Sequence, residues 1–205
     1  MVEVKAFVGG LLETNCYLVY STDSNVGFLI DPGFFSRKIA GEIQKNDIIV
    51  RNIINTHGHI DHTAGNRNFG YPVLIHEDDN EFLKNPSKNL SFFVNILSNS
   101  PPADRLLKDK DIIEERDIRF EVIHTPGHTP GSISLRMGNR VFTGDALFRE
   151  SVGRTDFPYG NEAKLLDSIQ SRLMTLPDET EILPGHGPSS TIGWERGNNP
   201  FLRNI

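Results

Sequence analysis

Cysteine is nearly absent from this 205-residue chain, where Cys16 stands alone. A single thiol makes no internal disulfide, so nothing calls for an oxidising compartment. It sits in the apolar run Asn15-Cys16-Tyr17-Leu18-Val19 and reads as a packed core residue rather than a reactive one. Positive charge is also in short supply: 21 Lys and Arg face 27 Asp and Glu, for a net charge of -6. That balance argues against a nucleic-acid footprint, which needs a basic patch. No stretch approaches the roughly 18 apolar residues of a membrane helix. Met1 to Val8 is interrupted by Glu3 and Lys5 and lacks the form of a signal peptide. A Gly-x-Ser-x-Gly nucleophile elbow is missing too. These absences lead us to expect a cytoplasmic protein with neither nucleic acid nor membrane as partner. Hydrophobic content of 37% and charged content of 23% are ordinary for a globular protein. The length fits one domain over residues 1–205, and the sequence is silent on oligomeric state.

What is present is concentrated in Thr56-His57-Gly58-His59-Ile60-Asp61-His62. Imidazole and carboxylate are the ligand types that suit zinc, iron or manganese. Arg51 to Asn55 reads as a short buried strand that ends where these donors begin. His57 and His59 are two apart and share a direction on extended backbone. Asp61 is well placed to open a helix, where a carboxylate is favoured. Asp61 and His62 are adjacent and suit a second metal position beside the first.

The rest of the chain builds a mixed sheet structure around this stretch. Val2 to Val8, Thr14 to Tyr20 and Val26 to Ile30 read as strands, with Val2, Val4, Ala6 and Val8 on one face. Ser36 caps a helix to about Asn46 that buries Ile39 and Ile43. Tyr71 to Ile75 is a further strand. His76 behind it has no ligand-type neighbours in sequence and reads as a structural or surface residue. Glu77 to Lys110 is poorly patterned beyond a helix near Asp78 to Leu83. It reads either as a lid or binding loop or as a packed excursion with Phe92 and Phe93 in the core. Ile118 to Ile123 is a strand, and Ser132 to Arg136 with Arg140 to Thr143 form a hairpin around Gly138-Asn139. Asn161 to Thr175 is a helix burying Ala163, Leu166, Ile169 and Leu173. Glu181 to Leu183 is the last strand.

Three later stretches place a donor beside glycine just past a strand: Pro126-Gly127-His128, Thr143-Gly144-Asp145 and Pro184-Gly185-His186. Glycine there lets the backbone turn tightly near a crowded site. The seven candidates divide into two groups. His57, His59 and His128 suit one metal; Asp61, His62 and His186 suit another; Asp145 has two oxygens with which to bridge. Two divalent ions about 3.5–4 Å apart generate a hydroxide at neutral pH and orient it on a carbonyl or phosphoryl centre. His124 reads as a packing residue behind His128.

The pattern His-x-His-x-Asp-His followed by single His, Asp and His resembles the metallo-β-lactamase superfamily over nearly the whole chain, from Asn15-Cys16-Tyr17 and Asp31-Pro32-Gly33 onward. The resemblance implies an α+β fold, an αβ/βα sandwich of two mixed sheets with helices on the outer faces and metals at one edge. Within it, His124-Thr125-Pro126-Gly127-His128-Thr129-Pro130-Gly131-Ser132, Thr143-Gly144-Asp145-Ala146-Leu147-Phe148, Val152-Gly153-Arg154-Thr155-Asp156-Phe157 and Gly185-His186-Gly187-Pro188 with Asn199-Pro200-Phe201 are similar to the short bacterial glyoxalase II-like branch. This implies hydrolysis of a thioester of the S-lactoylglutathione type by a metal-bridging hydroxide, with two divalent ions, zinc foremost and iron or manganese as alternatives. Asp61 would orient that hydroxide and act catalytically. Arg154 would contact a substrate carboxylate, and Tyr159 would share that wall. Full-length hydroxyacylglutathione hydrolases carry a further C-terminal helical domain with part of the glutathione site, whereas this sequence ends soon after His186. Asp145 stands where zinc β-lactamases use a cysteine, which argues against β-lactam hydrolysis. Gly153 to Phe157 also resembles the persulfide dioxygenases of the superfamily. These would hold a single iron through His57, His128 and Asp145.

Overall fold

A computed structural model describes residues 1–94 and 100–203, apart from the side chains of 93 and 94. Two six-stranded sheets face each other. The first runs in chain order: β1 (Val2–Gly9), β2 (Thr14–Ser21), β3 (Val26–Ile30), β4 (Ile49–Ile54), β5 (Val73–His76) and β6 (Arg105–Leu107). Its first three strands pair antiparallel, while β3 to β6 pair parallel. The second contains β7 (Ile112–Glu115), β8 (Ile118–His124), β9 (Ile133–Met137), β10 (Arg140–Gly144), β13 (Glu181–Pro184) and β14 (Ser190–Thr191). There only β10 and β13 pair parallel. A ribbon of β11 (Leu147–Phe148) and β12 (Ser151–Val152) follows β10.

Alternation along the strands explains the layers. On β2, Tyr17 and Val19 point between the sheets, where they meet Phe28, Ile54, Phe120, Val122, Leu135 and Phe142. Cys16, Leu18 and Tyr20 point to the other face and pack with Ile39 and Ile43 of α1 (Arg37–Lys45). Every residue of β2 is therefore buried, as expected for a strand covered on both faces. Cys16 is fully enclosed, as its sequence context required. The outer face of the second sheet is covered by α5 (Glu162–Ser168), which continues through a π turn over Ile169–Leu173, and by α6 (Ile192–Asn198). The result is the αβ/βα sandwich, with Ser36 capping α1 as expected.

Two local readings need correction. Ala163 is exposed and Leu165 is buried in its place. With 3.6 residues per turn, Leu165 lies roughly one turn before Ile169 and shares its face, whereas Ala163, six residues before, is turned about 120° away from it. On β1, Val2, Val4, Ala6 and Val8 share a face as expected; Val2 and Val4 pack on the central core, while Ala6 and Val8, further along this edge strand, are exposed. In the poorly patterned segment Phe92 is 73% exposed rather than in the core, and the Phe93 side chain lies outside the described part. The same segment holds a 3-10 helix (Glu77–Lys84) and α4 (Ser91–Val94), and Ile60 donates its N–H to Asn89 O at 2.9 Å. Among the described residues no helix is long and apolar enough to cross a membrane.

Phe120 is fully buried between the sheets, edge-on to Phe28 at 5.4 Å and to Phe142 at 6.0 Å. Phe120→Ala should cost about 3–5 kcal/mol through lost transfer energy and a residual cavity. Chemical denaturation checks this through a lower midpoint at unchanged slope.

Candidate metal centre and cleft

All seven sequence-predicted donors come together where the two sheets present corresponding strand ends. β4 ends at Ile54 and delivers His57 and His59; α2 (Ile60–Thr63) follows at once and carries Asp61 and His62. β8 leads to His128, β10 to Asp145 and β13 to His186. Gly144 holds φ at 49°, a left-handed conformation that glycine adopts without strain. The donor atoms of His57, His59 and His128 lie within 4.8 Å of one another, as do those of Asp61, His62 and His186. Asp145 stands between the sets. Its Oδ1 is 3.3 Å from His62 Nε2, and its Oδ2 is 3.6 Å from both His128 Nε2 and His186 Nε2.

The ring orientations follow from what holds the other nitrogen. His128 Nδ1 lies 2.7 Å from Arg154 O, His186 Nδ1 2.9 Å from Leu12 O, and His62 Nδ1 3.0 Å from Asp31 Oδ2. Asp31 also accepts the Thr56 N–H at 2.7 Å and the Thr56 hydroxyl at 2.6 Å, and Thr56 Oγ1 lies 3.2 Å from His57 Nδ1. These acceptors place the protons on Nδ1 and leave four Nε2 lone pairs pointing inward. His59 is reversed, with Nδ1 inward at 2.9 Å from His128 Nε2. Sequence reasoning did not single out Asp31 or Thr56. Their signal is an Asp directly after a strand in Asp-Pro-Gly, held at φ 48°, where a carboxylate can reach back to the next strand's end.

Burial drives the His57 ring toward its neutral form, well below the ordinary imidazole range, and neighbouring imidazoles add to this. His59 is pushed down to about 3 by burial and by His128. For Asp61 and Asp145 burial opposes ionisation, but the adjacent His62 outweighs it and both carboxyls are held below their usual range. For His62 burial favours the neutral ring, yet Asp145, Asp61 and Asp31 raise it. The neutral rings of His57 and His59 and the carboxylates of Asp61 and Asp145 thus face one point, with His62 drawn toward its protonated form by those anions. His57 Nε2 and Asp145 Oδ1 are buried with no hydrogen-bond partner, which is costly unless a cation sits between them. The donor set fits two divalent ions.

A cleft of about 230 Å³ opens onto these donors. Its walls are largely apolar, from Leu12, Leu90, Phe148 and Phe157, with Arg154 on the rim. Arg154 is exposed to solvent and makes a two-point ion pair with Asp156 at 2.9 and 2.7 Å while stacking on Phe157. Tyr159 does not line this cleft. It packs edge-on to Phe82 at 5.7 Å with Lys88 Nζ over its ring. His76 and His124 stack face to face at 4.1 Å, away from the seven donors, so His76 has a partner that its sequence neighbours did not reveal.

The family model of the metallo-beta-lactamase superfamily matches residues 9–186. The chain belongs to the metallo-beta-lactamase superfamily. Hydroxyacylglutathione hydrolase GloC of Haemophilus influenzae is 34% identical over 93% of each chain. Among solved structures, the B3 metallo-beta-lactamase BLEG-1 superposes with TM-score 0.90 at 33% identity, covering all of both chains. TTHA1623 in a di-iron-bound form superposes with TM-score 0.84 at 34% identity, covering 97% of this chain and all of that one. The superfamily is one of metallo-hydrolases, and this member retains a His/Asp cluster suited to divalent metal.

A Cβ at Gly185 would stand 2.3 Å from Asp145 Oδ1 and 2.7 Å from His62 Cε1. Gly185→Ala should therefore push Asp145 aside and lower the metal content of a folded protein, read by elemental mass spectrometry beside circular dichroism.

Proposed function

We propose that the protein is a two-metal hydrolase of thioesters of the S-lactoylglutathione type. The convergence of His57, His59, His128, Asp61, His62, His186 and Asp145 beside an apolar-walled cleft carries this reading. The name of the GloC relative supports the substrate class, and the di-iron form of TTHA1623 supports two metals while favouring iron as readily as zinc. In this reading His57, His59 and His128 would hold one ion and Asp61, His62 and His186 the other, with Asp145 between the two sets available to both. Such ions lower the pKa of water to near neutrality and polarise the scissile carbonyl.

The chain's own groups do the rest. Asp61 Oδ2 lies 3.2 Å from His186 Nε2 and 3.5 Å from His62 Nε2, at the cleft. Its carboxyl group is held below the usual range and would help orient the attacking oxygen and accept its proton while holding the second ion. Leu12, Leu90, Phe148 and Phe157 exclude water and receive the apolar part of the substrate. A thiolate leaving group has a pKa near 8.5, roughly, so it departs without a dedicated acid. Arg154 is the cation on the rim. Its pair with Asp156 is exposed and worth little, so a substrate carboxylate can take Asp156's place. The cytoplasmic setting belongs to the same reading.

Elemental mass spectrometry of fresh and metal-supplemented protein, followed by a thioester panel, tests the proposal. Near two metals per chain with turnover of S-lactoylglutathione supports it. One iron per chain, no second metal on supplementation, and oxygen uptake with a persulfide would replace it with the mononuclear dioxygenase reading. The likeness to a B3 metallo-beta-lactamase weakens the exclusion of β-lactams drawn from Asp145, so a β-lactam belongs in the panel. Asp145→Ala should strip metal from both positions, and two tightly held ions in that variant would refute the bridging role. Arg154→Ala should raise KM for anionic thioesters more than for neutral ones; an equal effect on both would remove Arg154 from substrate binding.

A further inference from the structure

We propose that Asp79 is a positioning residue: its buried carboxylate fixes the spacing between the loop bearing His57 and His59 and the loop bearing His128, and so sets the metal affinity of the three-histidine position. The inference rests on the reading of those histidines as ligands. Asp79 lies on the 3-10 helix Glu77–Lys84 and is fully buried. It touches none of the three imidazoles among its hydrogen bonds. Its Oδ2 accepts the Gly58 N–H at 2.8 Å and the Thr129 hydroxyl at 2.7 Å, and its Oδ1 accepts the Gly131 N–H at 2.6 Å. Gly58 is the residue between His57 and His59, and Thr129 directly follows His128. One carboxylate therefore clamps two loops that come from different sheets.

The spacing it fixes matters because His59 Nδ1 and His128 Nε2 stand 2.9 Å apart. A metal site tolerates ligand distances within about 0.2 Å. A separate bond, from the Ile133 N–H to Thr56 O at 2.8 Å, joins the sheets at the base of the loops; Asp79 joins them nearer the rings. Both glycines let the 3-10 helix come this close. A Cβ at Gly131 would fall 2.7 Å from Asp79 Oδ1, and one at Gly58 would fall 2.3 Å from Phe82 Cβ. All three partners are donors, so the position needs a group that only accepts. An amide of the same shape would turn an NH2 toward an N–H or O–H.

The test is Asp79→Asn, with Thr129→Val and Thr129→Ser beside it. Zinc content after dialysis, zinc loss to a chelator and the visible absorption of the Co(II)-substituted protein are measured. Thermal unfolding of the metal-free proteins separates lost stability from lost affinity. In Asp79→Asn we expect one of two zinc ions to be held at least about tenfold more weakly, with an altered Co(II) spectrum. Thr129→Val, which leaves both glycine bonds in place, should move the same way by less, and Thr129→Ser should restore wild-type affinity. Folded Asp79→Asn or Thr129→Val protein with wild-type zinc affinity and spectrum, whatever its unfolding temperature, overturns the role. If Asp79→Asn does not fold, the Thr129 pair decides. Wild-type protein that takes up no zinc overturns the metal reading itself, and this inference with it.

Discussion

Electron-pair donors that repel one another are packed at one point, and the rest of the molecule is arranged to keep them there. Five imidazole nitrogens and two carboxylates face inward, and the rings of His57 and His59 are held neutral by burial rather than protonated into mutual repulsion. Among the described residues the lone pair of His57 Nε2 and the Oδ1 of Asp145 have no hydrogen-bond partner. A cluster of this kind fits a cation site, because each buried polar atom left without a partner costs about 1–3 kcal/mol.

The sandwich supplies the rigidity this needs. Each donor sits one to eight residues beyond a strand whose other end is locked in a sheet, so its freedom is that of a short loop or, for Asp61 and His62, of the one-turn helix that follows it. The loops are then tied to one another rather than left to the metal. Asp31, at the end of β3, holds Thr56 and His62 beyond β4; Arg154 O and Leu12 O fix the rings of His128 and His186 from outside. Carboxylates do the cross-loop work in both cases where several donors must be gathered at once, since each can accept from more than one direction.

Much of this was legible in the sequence because it is local. The spacing of His57 and His59, the adjacency of Asp61 and His62, and glycine before each later donor are short-range patterns with short-range causes. The strands of the two cores were legible for the same reason: alternation on β2 survives into Tyr17 and Val19 on one face and Cys16 and Leu18 on the other. What was not legible depends on residues far apart in the chain. The Asp31 contact with His62 spans 31 residues and the stacking of His76 on His124 spans 48, so neither leaves a periodic trace. Ala163 was misplaced by a three-residue spacing carried back through Leu166, which drifts off the face that Leu165 and Ile169 share. Arg154 was placed at the cleft, but its pairing with Asp156 was visible only as two charges two apart.

That pairing bears on how the cleft selects substrates. A cation already neutralised by a neighbour contributes little long-range attraction, and an exposed pair is further screened by salt. Affinity from Arg154 must come from direct exchange of Asp156 for a substrate carboxylate, which roughly conserves the number of ion pairs and so gains little. The apolar walls gain more: burying a few methylenes against Leu12, Phe148 and Phe157 is worth about 0.8 kcal/mol each. On the proposed reading, a thioester would be held chiefly by its apolar part, with Arg154 orienting its charge and adding a modest preference for anionic substrates.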